Sequence, residues 1–385
     1  MARLGVSRFS VSIFGLTLAA HLPLTLALLV PLGATPAGLL SALALSALCV
    51  WGLRGRVSLA FDDEPISAAR RWLVEIPYYV HWCAAVAALP AFALASPLAL
   101  FTTWRIGELA LAAYLVAFVA ALWGVVARPR LLRLRERELR IAALPPAFDG
   151  YRVLHVSDVH LGSLFPPERL AAWIERASAL SPDLVALTGD YVTSGTRFHE
   201  AAAETLASLR GRDGVVAVAG NHDDYGGGEP LRSSLRARGV ELLDNAHRVY
   251  TRGEASLVVV GVDDVYSRRV DVERAFSGVP EGSFVVALAH EPGLFPRIAE
   301  RGAALVLSGH THWGQLGVPW IAERLNLGRF FYRYASGLAR HGGSLLHVSP
   351  GLGTTFVPAR LGVAPEMTLL VLRRAAPDDS AQFST

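Results

Sequence analysis

The chain has 385 residues, room for two or three ordinary domains. Its formal net charge is only +3 and its arginines cluster in a few places, which argues against a nucleic-acid binder with basic residues spread over a folded face. Hydrophobic residues make up 52% of it, concentrated in the first third, and its two cysteines, Cys49 and Cys83, both sit in long apolar stretches, so thiol chemistry and a disulfide framework are excluded.

Four stretches before residue 128 are apolar for about the ~20 residues that a membrane helix needs: 9–32, 35–53, 74–97 and 107–127. The first exceeds the apolar core of a cleaved signal and is followed almost at once by a second, so it is expected to be a retained anchor. Pro77 and Pro90 interrupt the third, making it the weakest of the four. Arginines flank the set asymmetrically: Arg3 and Arg8 precede it, Arg54, Arg56, Arg70 and Arg71 fall between spans two and three, and Arg128 to Arg140 follow span four. With four spans, the positive-inside rule puts both termini and everything after residue 128 in the cytoplasm, in a multi-pass protein of the inner (plasma) membrane. Loss of the third span would move the soluble part to the other side. Of the ionisable groups in the spans, Glu75 and Glu108 are expected at the interface. His21 and His81 are expected to bond across helices, because no polar face runs through the bundle.

The organisation expected is a transmembrane region over 1–127, a basic linker and entry strand over 128–150, a folded α/β domain over 151–374 and a disordered tail over 375–385. Arginines of the linker are placed to meet anionic lipid, at ~1 kcal/mol each near a membrane surface. From residue 151, short apolar runs alternate with helical segments such as 167–180 and 229–238, the pattern of an α/β domain.

The polar residues at the end of each apolar run carry the chemistry. YRVLHVS leads into Asp158-Val159-His160, PDLVALT into Gly189-Asp190, and GVVAVA into Gly220-Asn221-His222-Asp223. SFVVALA leads into His290-Glu291-Pro292 and AALVLS into Gly309-His310-Thr311-His312. Ligands bind beyond the carboxyl ends of strands in open α/β sheets, and Asp, His and Asn suit borderline or hard divalent cations. Each element alone is weak, but five in order, each after an apolar run, form a convergent set.

This set of D-x-H, GD, GNHD, H and GHTH over about 150–372 resembles the calcineurin-like metallophosphoesterase superfamily. The membrane segments and the closing stretch YASGLARHGGSLLHVSPGLGTTFVPARLG resemble its membrane-anchored bacterial phosphodiesterase branch. The resemblance implies a four-layer αββα sandwich behind a bundle of about four transmembrane helices, with two divalent metal ions, Mn, Fe or Zn. It implies Asp158, His160 and His312 on one metal, Asn221, His290 and His310 on the other, and Asp190 bridging both. A metal-bridging hydroxide would attack a phosphodiester or pyrophosphate bond, with His222 as proton donor to the leaving oxygen. Asp223 is placed either to orient the His222 ring or as a solvated loop residue. Trp313 departs from the small residue usual in GHTHGGQ, and either narrows the cleft, stacks on substrate, meets the lipid interface or packs away from the metals.

His155 reads as a core or supporting histidine, and His199, His247, His341 and His347 as structural or exposed. Asp263 and Asp264 read as loop residues, and Arg360 as the partner of a carboxylate such as Glu366. The substrate expected is a phosphate ester, lipid-linked if the anchor reflects its location, with no nucleic-acid binding. A non-catalytic metal-binding scaffold and a phosphoesterase-regulated membrane sensor are the alternatives; the complete ligand set argues against the first, and the lack of a polar helix face against transport.

Overall fold

The computed structural model describes residues 8–59 and 64–375. They divide into two compact units, one of the N-terminal helices with the short segment Phe356–Ala359, the other running from Arg130 to Thr355 and onward from Arg360.

In the first unit four helices are long and apolar enough to cross a membrane. Helix Arg8–Leu32 is followed by a turn at Gly33 (φ 79°) and helix Pro36–Leu59. The third span is continuous over Ala68–Leu100. Pro77 follows directly on a π-helical turn, Arg71–Glu75, which absorbs its missing N–H within the continuous span, and Pro90 is carried inside the helix Ile76–Ala95. The fourth begins at Ile106, with Glu108 accepting the Arg105 backbone N–H. Alanines close the helix contacts, Ala42, Ala84 and Ala110 being wholly buried, as expected where small residues let helices approach. His21 and His81 do bond across helices, Nε2 to Nε2 at 3.2 Å, with Tyr114 on the far nitrogen of His81. Glu75 is buried between Arg56 at 2.9 Å and Arg70 at 3.0 Å.

The second unit is built on twelve strands: β1 Arg133–Ile141, β2 Tyr151–Val156, β3 Leu184–Thr188, β4 Val215–Val218, β5 Glu241–Leu242, β6 Ala246–Arg252, β7 Ala255–Val262, β8 Phe284–Ala289, β9 Leu305–Ser308, β10 Gly337–His341, β11 Ser344–Val348 and β12 Glu366–Arg374. They form two six-stranded mixed sheets, in the orders β1-β12-β2-β3-β4-β5 and β10-β11-β9-β8-β7-β6. The neighbours β2, β3 and β4 run parallel in the first sheet, and β7, β8 and β9 in the second. Their residues are apolar almost without interruption because both faces are covered. Val153, Ala186 and Val218 meet Val259, Val286 and Leu307 between the sheets. Helices Pro167–Ser178, His199–Leu206 and Glu229–Ala237 cover the first sheet through Trp173, Leu206 and Leu235. Helices Val272–Phe276 and Phe295–Glu300 cover the second through Phe276, Phe295 and Ile298. Each such side chain taken fully out of water contributes ~1.5–3 kcal/mol, which fixes the four layers and with them the strand ends that carry the polar residues.

The basic linker contains strand β1. That strand pairs in parallel with β12, and Arg135 and Arg137 grip Glu323 at 3.0 and 2.7 Å, while Arg133 lies 3.6 Å from Glu366. These arginines are engaged by carboxylates of their own unit. The expected tail, from residue 376 onward, lies outside the described residues.

Candidate metal centre

Strands β2, β3, β4, β8 and β9 end at Asp158, Asp190, Asn221, His290 and His310 within a few residues each. Asp158, His160, Asp190, His310 and His312 all hold positive φ, between 49° and 68°. Left-handed backbone costs a non-glycine residue ~1–2 kcal/mol, and Asp and His bear it better than branched residues do. Such strain collects at functional sites, where it aims a side chain that regular strand geometry would turn away. Two glycines let the chains come close enough: a Cβ on Gly309 would fall 2.0 Å from Asp158 Oδ2, and one on Gly220 2.3 Å from Asp190 Oδ1.

The side chains converge into three clusters, two of which share Asp190. Asp158, His160 and His312 bring one ligand atom each within 4.8 Å of one another, as do Asp190, His290 and His310. His160 Nε2 lies 2.9 Å from His312 Nε2 and 3.4 Å from Asp190 Oδ2. His312 Nε2 is 3.4 Å from Asp158 Oδ1. In the second cluster His290 Nε2 is 3.2 Å from Asp190 Oδ2 and 3.3 Å from His310 Nδ1, which is itself 3.1 Å from Asn221 Oδ1. A third grouping joins His160, Asp190 and His222. All seven predicted ligand residues and His222 therefore come together.

Whether these residues suit a cation can be read from His290. Its Nδ1 donates to the Thr188 carbonyl at 2.7 Å, so a neutral ring turns the lone pair of Nε2 toward a carboxylate oxygen. Two acceptors at that distance need positive charge between them. A proton supplies it in one state: burial alone would lower His290, but Asp190 outweighs it and holds the imidazole well above its ordinary range. Burial alone would raise Asp190, yet His290 and His222 hold it well below. A divalent cation is the other occupant, and an outer hydrogen bond from a ligand histidine to a carbonyl is the usual support of such a ligand. Burial holds His160 and His312 well below the imidazole range, keeping them neutral and able to ligate. It also pushes Asp158 up to about 6, against the pull of His290. The donor set fits divalent cations of the Mn, Fe or Zn kind.

Several expectations for neighbouring residues are corrected. Asp223 neither orients His222 nor lies in solvent. It is buried, and its carboxylate accepts the backbone N–H groups of Asp190, Tyr191 and Gly220 at 2.9, 2.7 and 2.9 Å, stitching the β3 and β4 loops together. Burial and then Asp190 push its carboxyl up to about 7. The His222 ring is instead set by Thr193, whose carbonyl accepts from Nδ1 at 2.6 Å. Trp313 packs into the outer core of the second sheet and donates to the Val348 carbonyl at 3.0 Å, so it packs away as in the last of its four readings. Arg360 does not pair with Glu366. It is wholly buried and donates to the carbonyls of Gly353, Ala364 and Pro350, while Glu366 bonds Thr368 and faces Arg133. The carbonyls are the nearer partners because residues 350–364 wrap around the guanidinium.

His155 is a core histidine, bonded to His347 Nδ1 at 2.9 Å and Thr188 Oγ1 at 2.8 Å. Asp263 pairs with Arg269 at 2.8 Å and Asp264 accepts the Tyr266 N–H, both loop roles. Sequence reasoning missed Thr355, whose Oγ1 lies 3.2 Å from His160 Nε2 and 3.0 Å from His312 Nε2, and Tyr225, whose hydroxyl accepts from the Asn221 amide at 2.9 Å. The GLGTTF stretch around Thr355 signals loop geometry, but nothing in its residue types announces the site.

Residues 151–314 match the family described as Calcineurin-like phosphoesterase. A transmembrane protein with metallophosphoesterase domain from Danio rerio is 30% identical over 279 residues, covering 68% of this chain and 62% of that protein. This chain thus spans less than two thirds of that relative's length. The uncharacterized metallophosphoesterase YkuE of Bacillus subtilis (strain 168) is 29% identical over 251 residues, covering 64% and 87%, and one from Aquifex aeolicus (strain VF5) is 28% identical over 270 residues, covering 66% and 98%. The family match begins at β2 and ends just past His312, the same interval that gathers the aspartates and histidines: residues 151–314 carry a calcineurin-like metallophosphoesterase domain, following in sequence the helices of membrane-spanning length.

Proposed function

We propose that the protein is a membrane-anchored phosphoesterase that hydrolyses a phosphodiester or pyrophosphate bond with two divalent metal ions and His222 as the proton donor. Asp158, His160 and His312 would hold one ion, Asn221, His290 and His310 the other, and Asp190 both. The supporting observation is the convergence of two ligand sets, Asp158, His160 and His312 in one and Asp190, His290 and His310 in the other, each with ligand atoms within 4.8 Å of one another. When bound, such ions supply Lewis acidity and positive charge to a phosphoryl centre.

The chain's own groups do the rest. Asn221 contributes a neutral oxygen, so the site keeps the net positive charge that draws in a phosphate. His222 has its Nδ1–H fixed on the Thr193 carbonyl, which leaves Nε2 to carry the transferable proton toward a departing alkoxide. Its ring packs edge-on against His160 at 4.6 Å, beside the clustered ligands. A group that protonates the leaving oxygen matters most for a diester or pyrophosphate leaving group that is poor as an anion. The arginine asymmetry around the spans supports a cytoplasmic site in the plasma membrane.

The test is substrate class. Full-length protein reloaded with Mn²⁺, Fe²⁺ or Zn²⁺ is expected to favour diesters or a pyrophosphate over a matched phosphomonoester by at least ~10-fold in kcat/KM, the scale of one or two discriminating contacts. A preference for the monoester would contradict this reading.

A further inference from the structure

Residues 316–333 link the histidine-bearing loop after β9 to β10 without regular strand or α-helix. The segment is nevertheless held firmly. Val318 N–H donates to Leu325 O at 2.9 Å, Leu327 N–H to Leu316 O at 2.8 Å, and the buried Asn326 amide to Ala322 O and Ser336 Oγ at 2.7 and 2.8 Å. Its outer face is unusual for a folded surface. Trp320 is 98% exposed, Phe330 80% and Phe331 74%, and Val318, Ile321 and Leu325 are exposed beside them. Single exposed apolar residues need no explanation, but several in one short segment, three of them large aromatics, mark an interaction surface.

The charges of the same segment narrow the occupant. Arg324, Arg329 and Arg333 are exposed, and the one carboxylate in the segment, Glu323, is already held by Arg135 and Arg137. Aromatic rings with cations and no free acid match the headgroup layer of an anionic membrane, where rings sit among the headgroups and arginines meet phosphate. A protein partner would more usually be met with charges of both signs. The segment also reaches the site, because the Tyr332 ring stands edge-on to His310 at 5.6 Å between centroids.

We propose that residues 316–333 seat in the headgroup region of an anionic phospholipid surface and so present to the site a phosphoester carried by a lipid of that surface. This rests on the phosphoesterase reading above and names its substrate class. The segment then acts as a docking element: it raises the chance that a lipid-borne phosphodiester enters the site, and leaves a soluble diester untouched.

The experiment uses full-length protein in nanodiscs of phosphatidylcholine and phosphatidylglycerol, compared with the variant Trp320→Ser/Phe330→Ser/Phe331→Ser. Two substrates share a leaving group: phosphatidyl-p-nitrophenol in the disc and bis(p-nitrophenyl) phosphate in solution. A diazirine placed near the headgroup of a phosphatidylglycerol reports lipid contact independently of turnover. The expected result is photolabelling of 316–333 in the parent protein and its loss in the variant. With it, kcat/KM on the lipid substrate should fall roughly 10-fold or more while that on the soluble diester is unchanged, a size in keeping with losing a few interfacial anchors. Equal rates in the two proteins on the lipid substrate, absence of label on the segment, or its protection within a dimer would overturn the docking role. Labelling of the segment without turnover of either substrate would leave the docking in place and instead defeat the phosphoesterase reading beneath it.

Discussion

His290 stands between two oxygens with opposite edges of one ring: Nδ1 is 2.7 Å from the Thr188 carbonyl and Nε2 is 3.2 Å from the Asp190 carboxylate. Thr188 ends β3 and Asp190 comes two residues later, so one loop both orients the histidine and supplies its partner. The same carboxylate approaches His160 Nε2 at 3.4 Å on its other side. Asp190→Asn keeps the shape and removes the charge that two cations would share. The expected outcome is loss of turnover by ~10²–10³-fold or more, together with loss of bound metal, measured by steady-state rates and elemental analysis on the same sample.

His222→Ala should separate chemistry from metal binding. Its Nδ1 is committed to Thr193, so the variant removes a proton donor rather than one of the seven proposed ligands. A diester with an alkyl leaving group should slow by ~10²–10⁴-fold, while a nitrophenyl diester, whose leaving anion needs no proton, should slow far less. Equal losses on both substrates, or loss of metal, would show that His222 acts in another way.

Asp223→Ala is predicted to act through the fold. Four buried backbone N–H groups, of Asp190, Tyr191, Val192 and Gly220, would lose their acceptor, at ~1–3 kcal/mol for each group left unsatisfied. The thermal transition of the detergent-solubilised protein should drop by several degrees even with metal present. Asp223→Asn, which keeps one acceptor oxygen, should recover part of the loss.

His155 gives the fold a pH-dependent stability. Burial depresses its imidazole to about 3, against an unperturbed value of 6.5. The folded chain therefore leaves it neutral while the unfolded chain takes up a proton below 6.5, so the unfolded state binds more protons in that window. Stability is full above pH 6.5 and falls by ~1.4 kcal/mol per unit as pH drops from there toward 3. Comparing the slope of unfolding free energy with pH between the parent and His155→Asn isolates this residue, the variant being less steep over that interval.

Much of the site was legible because it depends on local sequence. Each apolar run makes a buried parallel strand, and each polar cluster after it must then lie at a strand's carboxyl end, so Asp158, Asp190, Asn221, His290 and His310 could be gathered from the sequence. The residues that failed are those whose partners come from far along the chain. Asp223 looked free to reach the neighbouring His222 ring, but the turn at 220–223 aims its carboxylate at N–H groups over thirty residues earlier. Arg360 looked like half of an ion pair, and found a cage of carbonyls from its own loop. Thr355 sits nearly two hundred residues from His160, which it approaches, and a threonine in a glycine-rich loop carries no signature of that meeting. The span count was legible from hydropathy, since Pro77 and Pro90 are both carried within one continuous helical span.

The most direct measurement is the metal content and metal dependence of full-length protein purified in detergent, stripped with chelator and titrated with Mn²⁺, Zn²⁺ or Fe²⁺ while bis(p-nitrophenyl) phosphate hydrolysis is followed. Two ions per chain, with hydrolysis rising to a plateau as the second is bound and abolished in Asp190→Asn, is the predicted result. A folded protein that takes up two ions and hydrolyses no diester, or one whose hydrolysis is indifferent to metal, would contradict the account.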